Sequence, residues 1–164
     1  MVVVADSSPL IYLAALSDFA LLPKLFGEIQ VPTAVWAEVV EQGAGFPVRE
    51  VTVEAAKSWL RVVPVANRVE LFAVAGRELH RGELEVIQLG QQLHADVLLM
   101  DDRRAVGQAR SIGFRVMPTI AIYIEAKRKG MIGAVKEKVD RLRTLGFRLT
   151  EEDYRAVLAA AGER

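Results

Sequence analysis

The sequence contains no cysteine. That excludes disulfides, thiolate metal sites and cysteine nucleophiles, and it suits a reducing compartment. Histidine is scarce: His80 and His94 are the two present. Spacing puts His80 in an exposed position near a hinge between two helices and His94 at a helix end, so neither is expected to bind a metal. An excess of charge is also lacking, because 21 basic and 21 acidic residues leave a formal net charge of zero. Any affinity for nucleic acid therefore has to come from local basic clusters. No apolar stretch could span a bilayer without meeting a charge or a turn signal, and the N-terminus reaches Asp6 with no basic leader before it. These absences lead to the expectation of a soluble, unprocessed cytoplasmic protein with no membrane association. There is no glycine-rich phosphate loop, no dinucleotide fingerprint and no serine-hydrolase elbow.

What is present is an alternation of short apolar runs with helical patterns, the signature of an α/β domain with a mostly parallel sheet. Val2–Ala5 and Val97–Met100 are near-continuous hydrophobic runs, as expected of strands buried on both faces. Further strands are expected over Glu28–Val31, Arg61–Val65 and Arg115–Met117. Helices are expected after Asp6-Ser7-Ser8-Pro9 through Leu16, then over Leu21–Phe26, from Pro32-Thr33 through Glu41, and over Val51–Leu60. Two helices hinged at Arg81-Gly82, Val69–Leu79 and Glu83–Leu93, come next, followed by Arg103–Ile112 and Thr119–Lys129. Ala134–Leu145 and Glu151–Ala161 close the chain, the last with a weak capping box from Thr150 to Asp153. The expectation is one domain over 1–164, with a core to about residue 130 and a helical extension over 131–164.

Two acids terminate the two clearest strands: Asp6 and Asp101. Ligand sites of open α/β sheets gather just beyond such carboxyl ends. Glu38 and Glu83 lie between them in helical segments. With about 100° per residue, Glu83 projects from the middle of the face formed by Leu84, Val86, Ile87, Gly90 and Leu93, whereas Glu85 points away. Glu38 falls at the edge of the apolar face of Val35, Trp36, Val39 and Val40. Each acid also has an ordinary explanation: Asp6 and Asp102 as N-caps, Glu83 as a first-turn carboxylate, Glu38 as a surface charge. Because Asp102 suits the cap before Arg103, Asp101 is the preferred site residue of that pair, with Asp102 as a further metal ligand.

As a set, the four acids need compensation. Two carboxylates about 5 Å apart repel by roughly 3 kcal/mol at an effective dielectric near 20. Several such pairs approach the stability of a small domain. A hard divalent cation, Mg²⁺ or Mn²⁺, answers this better than protonation, and the absence of accompanying cysteine or histidine argues against zinc. A cation with open water positions can generate hydroxide and stabilise phosphoryl charge, which makes phosphodiester hydrolysis the chemistry most consistent with the set.

These segments resemble the PIN domain, a metal-dependent nuclease fold, in a prokaryotic PIN-like branch. The resemblance rests on Val-Val-Ala-Asp6-Ser7-Ser8-Pro-Leu-Ile, Val31-Pro-Thr-Ala-Val-Trp-Ala-Glu38-Val, Arg81-Gly82-Glu83-Leu-Glu-Val-Ile-Gln-Leu-Gly and Leu98-Leu-Met-Asp101-Asp102-Arg103-Arg104-Ala. The tail segments Ala126-Lys-Arg-Lys-Gly130 and Leu142 to Leu149 extend it over nearly the whole chain. It implies a three-layer α/β/α sandwich whose catalytic and metal-binding acids are Asp6, Glu38, Glu83 and Asp101. Ser8, with Ser7 beside it, takes the hydroxyl position that orients ligands or water. The third acid is a glutamate where many members carry aspartate. The resemblance further implies an endoribonuclease toxin of a toxin–antitoxin module, a homodimer restrained by a small antitoxin. Arg81, Arg103, Arg104 and Lys127 are the candidate RNA-phosphate contacts, although Lys127 to Lys129 also suit a helix-end charge complement. Two other functions fit less of the sequence. One is a PIN-like binding module that has lost turnover. The other is a phosphoacceptor receiver domain using Thr119 and Lys127, which the acid order fits poorly.

Overall fold

The structure is a computed structural model that describes all residues except 43, 44, 46 and 67–78. The helix expected over Val69–Leu79 lies, but for Leu79, outside the described residues. The chain divides into two compact units, 1–118 and 119–164.

In the first unit the apolar runs become β1 (Val3–Ala5) and β4 (Val97–Leu99), every residue of both buried. Strands β2 (Ile29–Pro32), β3 (Leu60–Val63) and β5 (Val116–Met117) complete a five-stranded sheet in the order β3-β2-β1-β4-β5, parallel throughout. The sequence runs outward from β1 to β3, then returns beside β1 and runs out the other way. The β1/β4 boundary is therefore the point where strand order reverses, the place where an open α/β sheet leaves a crevice at its carboxyl edge. Ala5 pairs with Leu99, and the Asp6 amide donates to the Leu99 carbonyl at 2.8 Å. Asp6 and Asp101 consequently leave the sheet side by side at that crevice.

Helices flank the sheet. Their order in the first unit is α1 (Ser7–Ala15), α2 (Leu21–Phe26), α3 (Thr33–Trp36), α4 (Val48–Ala55), α5 (Arg81–Leu93) and α6 (Arg103–Ser111). Helix α4 starts earlier than its apolar spacing predicted, directly after Pro47, which suits a helix start. The segment after α3 departs from the expected regular helix. Ala37–Glu41 forms a wide π-helical turn, closed by the Gln42 amide donating to the Ala37 carbonyl at 2.7 Å. Such a turn inserts one residue into a helix, often at a functional site. It keeps Val35 and Val39 in the core while Trp36, expected on the same apolar face, stays only half-buried. Helix α5 ends at His94, which adopts the left-handed conformation at φ 52°. At Gly90 an added Cβ would stand 2.8 Å from Leu98 Cδ2, so glycine there lets α5 approach β4.

The second unit consists of α7 (Thr119–Arg128), α8 (Val135–Thr144) and α9 (Glu151–Ala160), packed on one another. Ala134 gives α8 no side-chain cap. Glu163 supplies one from beyond α9, accepting from the amides of Val135 at 2.7 Å and Lys136 at 2.9 Å. Thr150 caps α9 by accepting from the Asp153 amide, as the sequence indicated. Among the described residues, no helix is long and apolar enough to cross a membrane.

Candidate functional site

Asp6 is fixed by its place between strand and helix. Its carboxylate accepts from the Ser7 amide at 2.8 Å as the N-cap of α1, and only 3 % of the residue is exposed. The Ser7 hydroxyl lies 3.5 Å from the same oxygen, too far for a strong bond. One short hydrogen bond does not compensate a buried carboxylate. Burial pushes the Asp6 acid up to about 7, the Ser7 amide and His80 oppose that rise, and Glu83 and Glu38 add to it. Asp6, Glu38 and Glu83 thus lie within electrostatic reach of one another.

Glu83 occupies the first turn of α5 and is 6 % exposed, so it does not reach out to water as a first-turn carboxylate commonly does. His80 is responsible. Its Nδ1 accepts from the Gly82 and Glu83 amides at 3.1 and 3.4 Å, and its Nε2 faces Glu83 Oε1 at 3.0 Å. The Glu83 carboxylate also accepts from the His80 amide at 3.3 Å, which completes a capping box. With Nδ1 accepting, the ring proton belongs on Nε2, where it donates to Glu83. Burial raises the Glu83 acid, His80 counteracts it, and Asp102 and Glu38 raise it further. Glu38 is carried on the wide turn after α3. A Cβ added at Gly82 would stand 3.1 Å from His80 Cε1 and 3.3 Å from Glu38 Oε2, so the bare backbone lets both side chains close in.

The Asp101–Asp102 pair divides its tasks. Asp102 Oδ1 accepts from the Arg104 and Ala105 amides, both at 3.0 Å, and caps α6. Asp101 accepts from the Ser8 hydroxyl at 2.9 Å, which ties the end of β4 to the start of α1. Burial, then Asp101, raises the Tyr12 phenol.

Three expectations need correction. First, the acids are not without a base: His80, assigned no part in the site, abuts Glu83. Its signal was the three-residue spacing to Glu83, which is that of a capping box, but histidine is not among the usual caps. Second, Glu85 does not point away. It is 3 % exposed and accepts from Arg81 Nε at 2.9 Å, the Ala34 amide at 3.2 Å and the Thr33 hydroxyl at 3.3 Å. Helix α5 packs against α3 as well as the sheet, so a wheel drawn for one buried face misplaced it. Arg81, a candidate RNA contact, therefore has its Nε engaged by Glu85, though its side chain is 63 % exposed. Third, Lys127 is committed within the second unit, to Glu163 at 2.6 Å and the Ala161 carbonyl at 2.7 Å. Its ammonium is thus engaged by the fold, where the sequence suggested a phosphate contact or the lysine of a receiver domain. Arg103 and Arg104 are exposed at the start of α6.

Among the described residues, no group of three histidine, aspartate or glutamate side chains stands placed to hold a metal ion. The donor chemistry nevertheless suits a hard cation. The acids offer carboxylate oxygens, Ser8 adds a hydroxyl, and both His80 nitrogens already have partners.

The family model for the PIN domain matches residues 2–163 of the chain. No curated protein matches it.

Proposed function

The chain belongs to the PIN domain family, a nuclease-type fold, and on that footing we propose that it is a Mg²⁺- or Mn²⁺-dependent endoribonuclease. The observation that carries the proposal is Asp6: a buried acid at the strand-order reversal, pushed up to about 7 beside Glu83 and Glu38. Asp6, Glu38, Glu83 and Asp101 would hold the cation, with Asp102 as a further ligand. A bound divalent cation supplies hydroxide at neutral pH and neutralises charge on the phosphate under attack. The chain's own residues do the positioning. His80 fixes the Glu83 carboxylate, Ser8 orients Asp101, and the capped α6 presents Arg103 and Arg104 to phosphates, which sets affinity rather than sequence choice. The biological setting we propose is that of a dimeric toxin restrained by a small antitoxin.

The test is RNA cleavage with Mg²⁺, with Mn²⁺ and with chelator. Cleavage is expected with metal and lost on chelation and in Asp6→Asn; undiminished cleavage in either case overturns the proposal. Growth arrest on expression, relieved by a co-encoded small protein, tests the toxin role.

A further inference from the structure

A cavity of about 550 Å³ adjoins the acids. Glu38 belongs to both, and its other walls include Trp36, Ala37, Gln42, Arg81 and Gly82. Its volume falls within the range of small-molecule sites. Its charged walls are Glu38 and Glu41 against Arg81, with the His80 ring beside them. The Arg81 Nε is held by Glu85, and both His80 nitrogens are engaged. Such a lining gives little attraction for a phosphate and favours a neutral planar group.

Trp36 supplies the surface for one. The wide turn beginning at Ala37 leaves this indole half-buried at the cavity wall, although its sequence spacing belongs to the core face. The other tryptophan, Trp59, is occupied in packing against Phe19, with ring centroids 5.4 Å apart. The small residues Ala34, Ala37 and Gly82 line the same cavity, and Gln42 brings to it an amide, whose donor and acceptor suit a base edge. Single-stranded RNA is commonly read by stacking unpaired bases on aromatic side chains and hydrogen-bonding their edges.

We infer that this cavity is a nucleobase subsite, in which Trp36 stacks on an unpaired base next to the phosphate that lies over the acids. The inference rests on the ribonuclease proposal and adds a specificity determinant to it. Its test uses Trp59→Phe protein, in which Trp36 is the sole tryptophan, combined with Asp6→Asn to prevent turnover. An unstructured oligoribonucleotide is expected to quench Trp36 emission, while the same sequence as a duplex leaves it unchanged. Trp36→Ala weakens oligonucleotide binding by roughly 5- to 150-fold, and Trp36→Phe keeps most of the affinity. In cleavage-competent protein, Trp36→Ala also flattens the base preference beside the cut. RNA that binds without changing Trp36 emission, and equally well to Trp36→Ala, overturns the subsite and leaves the nuclease intact. Protein that neither binds nor cleaves RNA overturns both.

Discussion

Asp6 in the first unit and Glu163 in the second are both shielded carboxylates that accept backbone hydrogen bonds, yet they ionise very differently. Glu163 receives the Lys127 ammonium and the amides of Val135 and Lys136, and these donors, Lys127 foremost, hold its acid down at about 2. Asp6 receives the Ser7 amide and has two further acids for neighbours, and burial pushes it up to about 7. The supply of donors does not divide between the units, as Glu85 shows. It lies in the first unit with Asp6, is as deeply buried, and has a guanidinium, an amide and a hydroxyl as donors. Glu85 and Glu163 both support the first turn of a helix that lacks its own side-chain cap. A carboxylate serving the fold is matched by donors of the chain; one left under-matched at the sheet's carboxyl edge is suited to a cation from outside.

The largest expected effect follows from that contrast. Asp6→Asn abolishes cleavage while stabilising the metal-free protein near neutral pH. Because the folded-state acid is raised, the folded protein binds the proton more tightly than the unfolded chain. The resulting penalty is absent below about pH 3.8 and grows as the pH rises to about 7, reaching up to about 4 kcal/mol. The thermal stability of metal-free wild type should therefore fall over that interval relative to Asp6→Asn. Added Mn²⁺ should raise the melting temperature of wild type more at about pH 8 than at about pH 5. Equal metal responses at both values would break the contrast.

His80 offers a finer separation. His80→Ala removes both the cap of α5 and the contact to Glu83; His80→Asn retains an N-cap but is too short to orient the carboxylate. Denaturation should show Asn recovering most of the stability lost in Ala, with activity in both remaining roughly 10- to 100-fold below wild type. Recovery of activity by Asn would reduce His80 to a cap.

The matched acids should respond in the opposite sense to Asp6. Glu163→Ala costs about 1–3 kcal/mol at neutral pH by removing the cap of α8, without altering the response to metal. The contribution of Glu163 is fully present above about pH 4.5 and is lost as the pH falls through about 2, so the variant and wild type converge in acid. Glu85→Gln keeps the shape but weakens the bonds to Arg81 and Ala34, and a cost of about 1 kcal/mol is expected in urea titrations. Stabilisation by either substitution would erase the distinction drawn from Asp6.

The sheet was legible because β1 and β4 are apolar throughout and each runs into an aspartate. Their adjacency, and hence the nearness of Asp6 to Asp101, followed only from strand order. Helix α2 was readable in full from Leu21 to Phe26, a short apolar segment ended by Gly27 at φ 71°. The wide turn was hidden because Val35 and Val39 suit an ordinary helix equally well. Glu85 was misplaced because its partners come from a second layer, and Lys127 because Glu163 is distant in sequence. In the last two cases a tertiary neighbour decided what local spacing left open.

The turn at Ala37–Glu41 holds one residue more than an ordinary helical path over the same span requires. Excising a single residue there would let the backbone wind at normal pitch with both flanks undisturbed. The shortened protein would still assemble its sheet, but the side chains of the excised turn would shift phase by about 100°. One surplus residue therefore separates a helix that merely covers the sheet from one that presents Glu38 to the crevice.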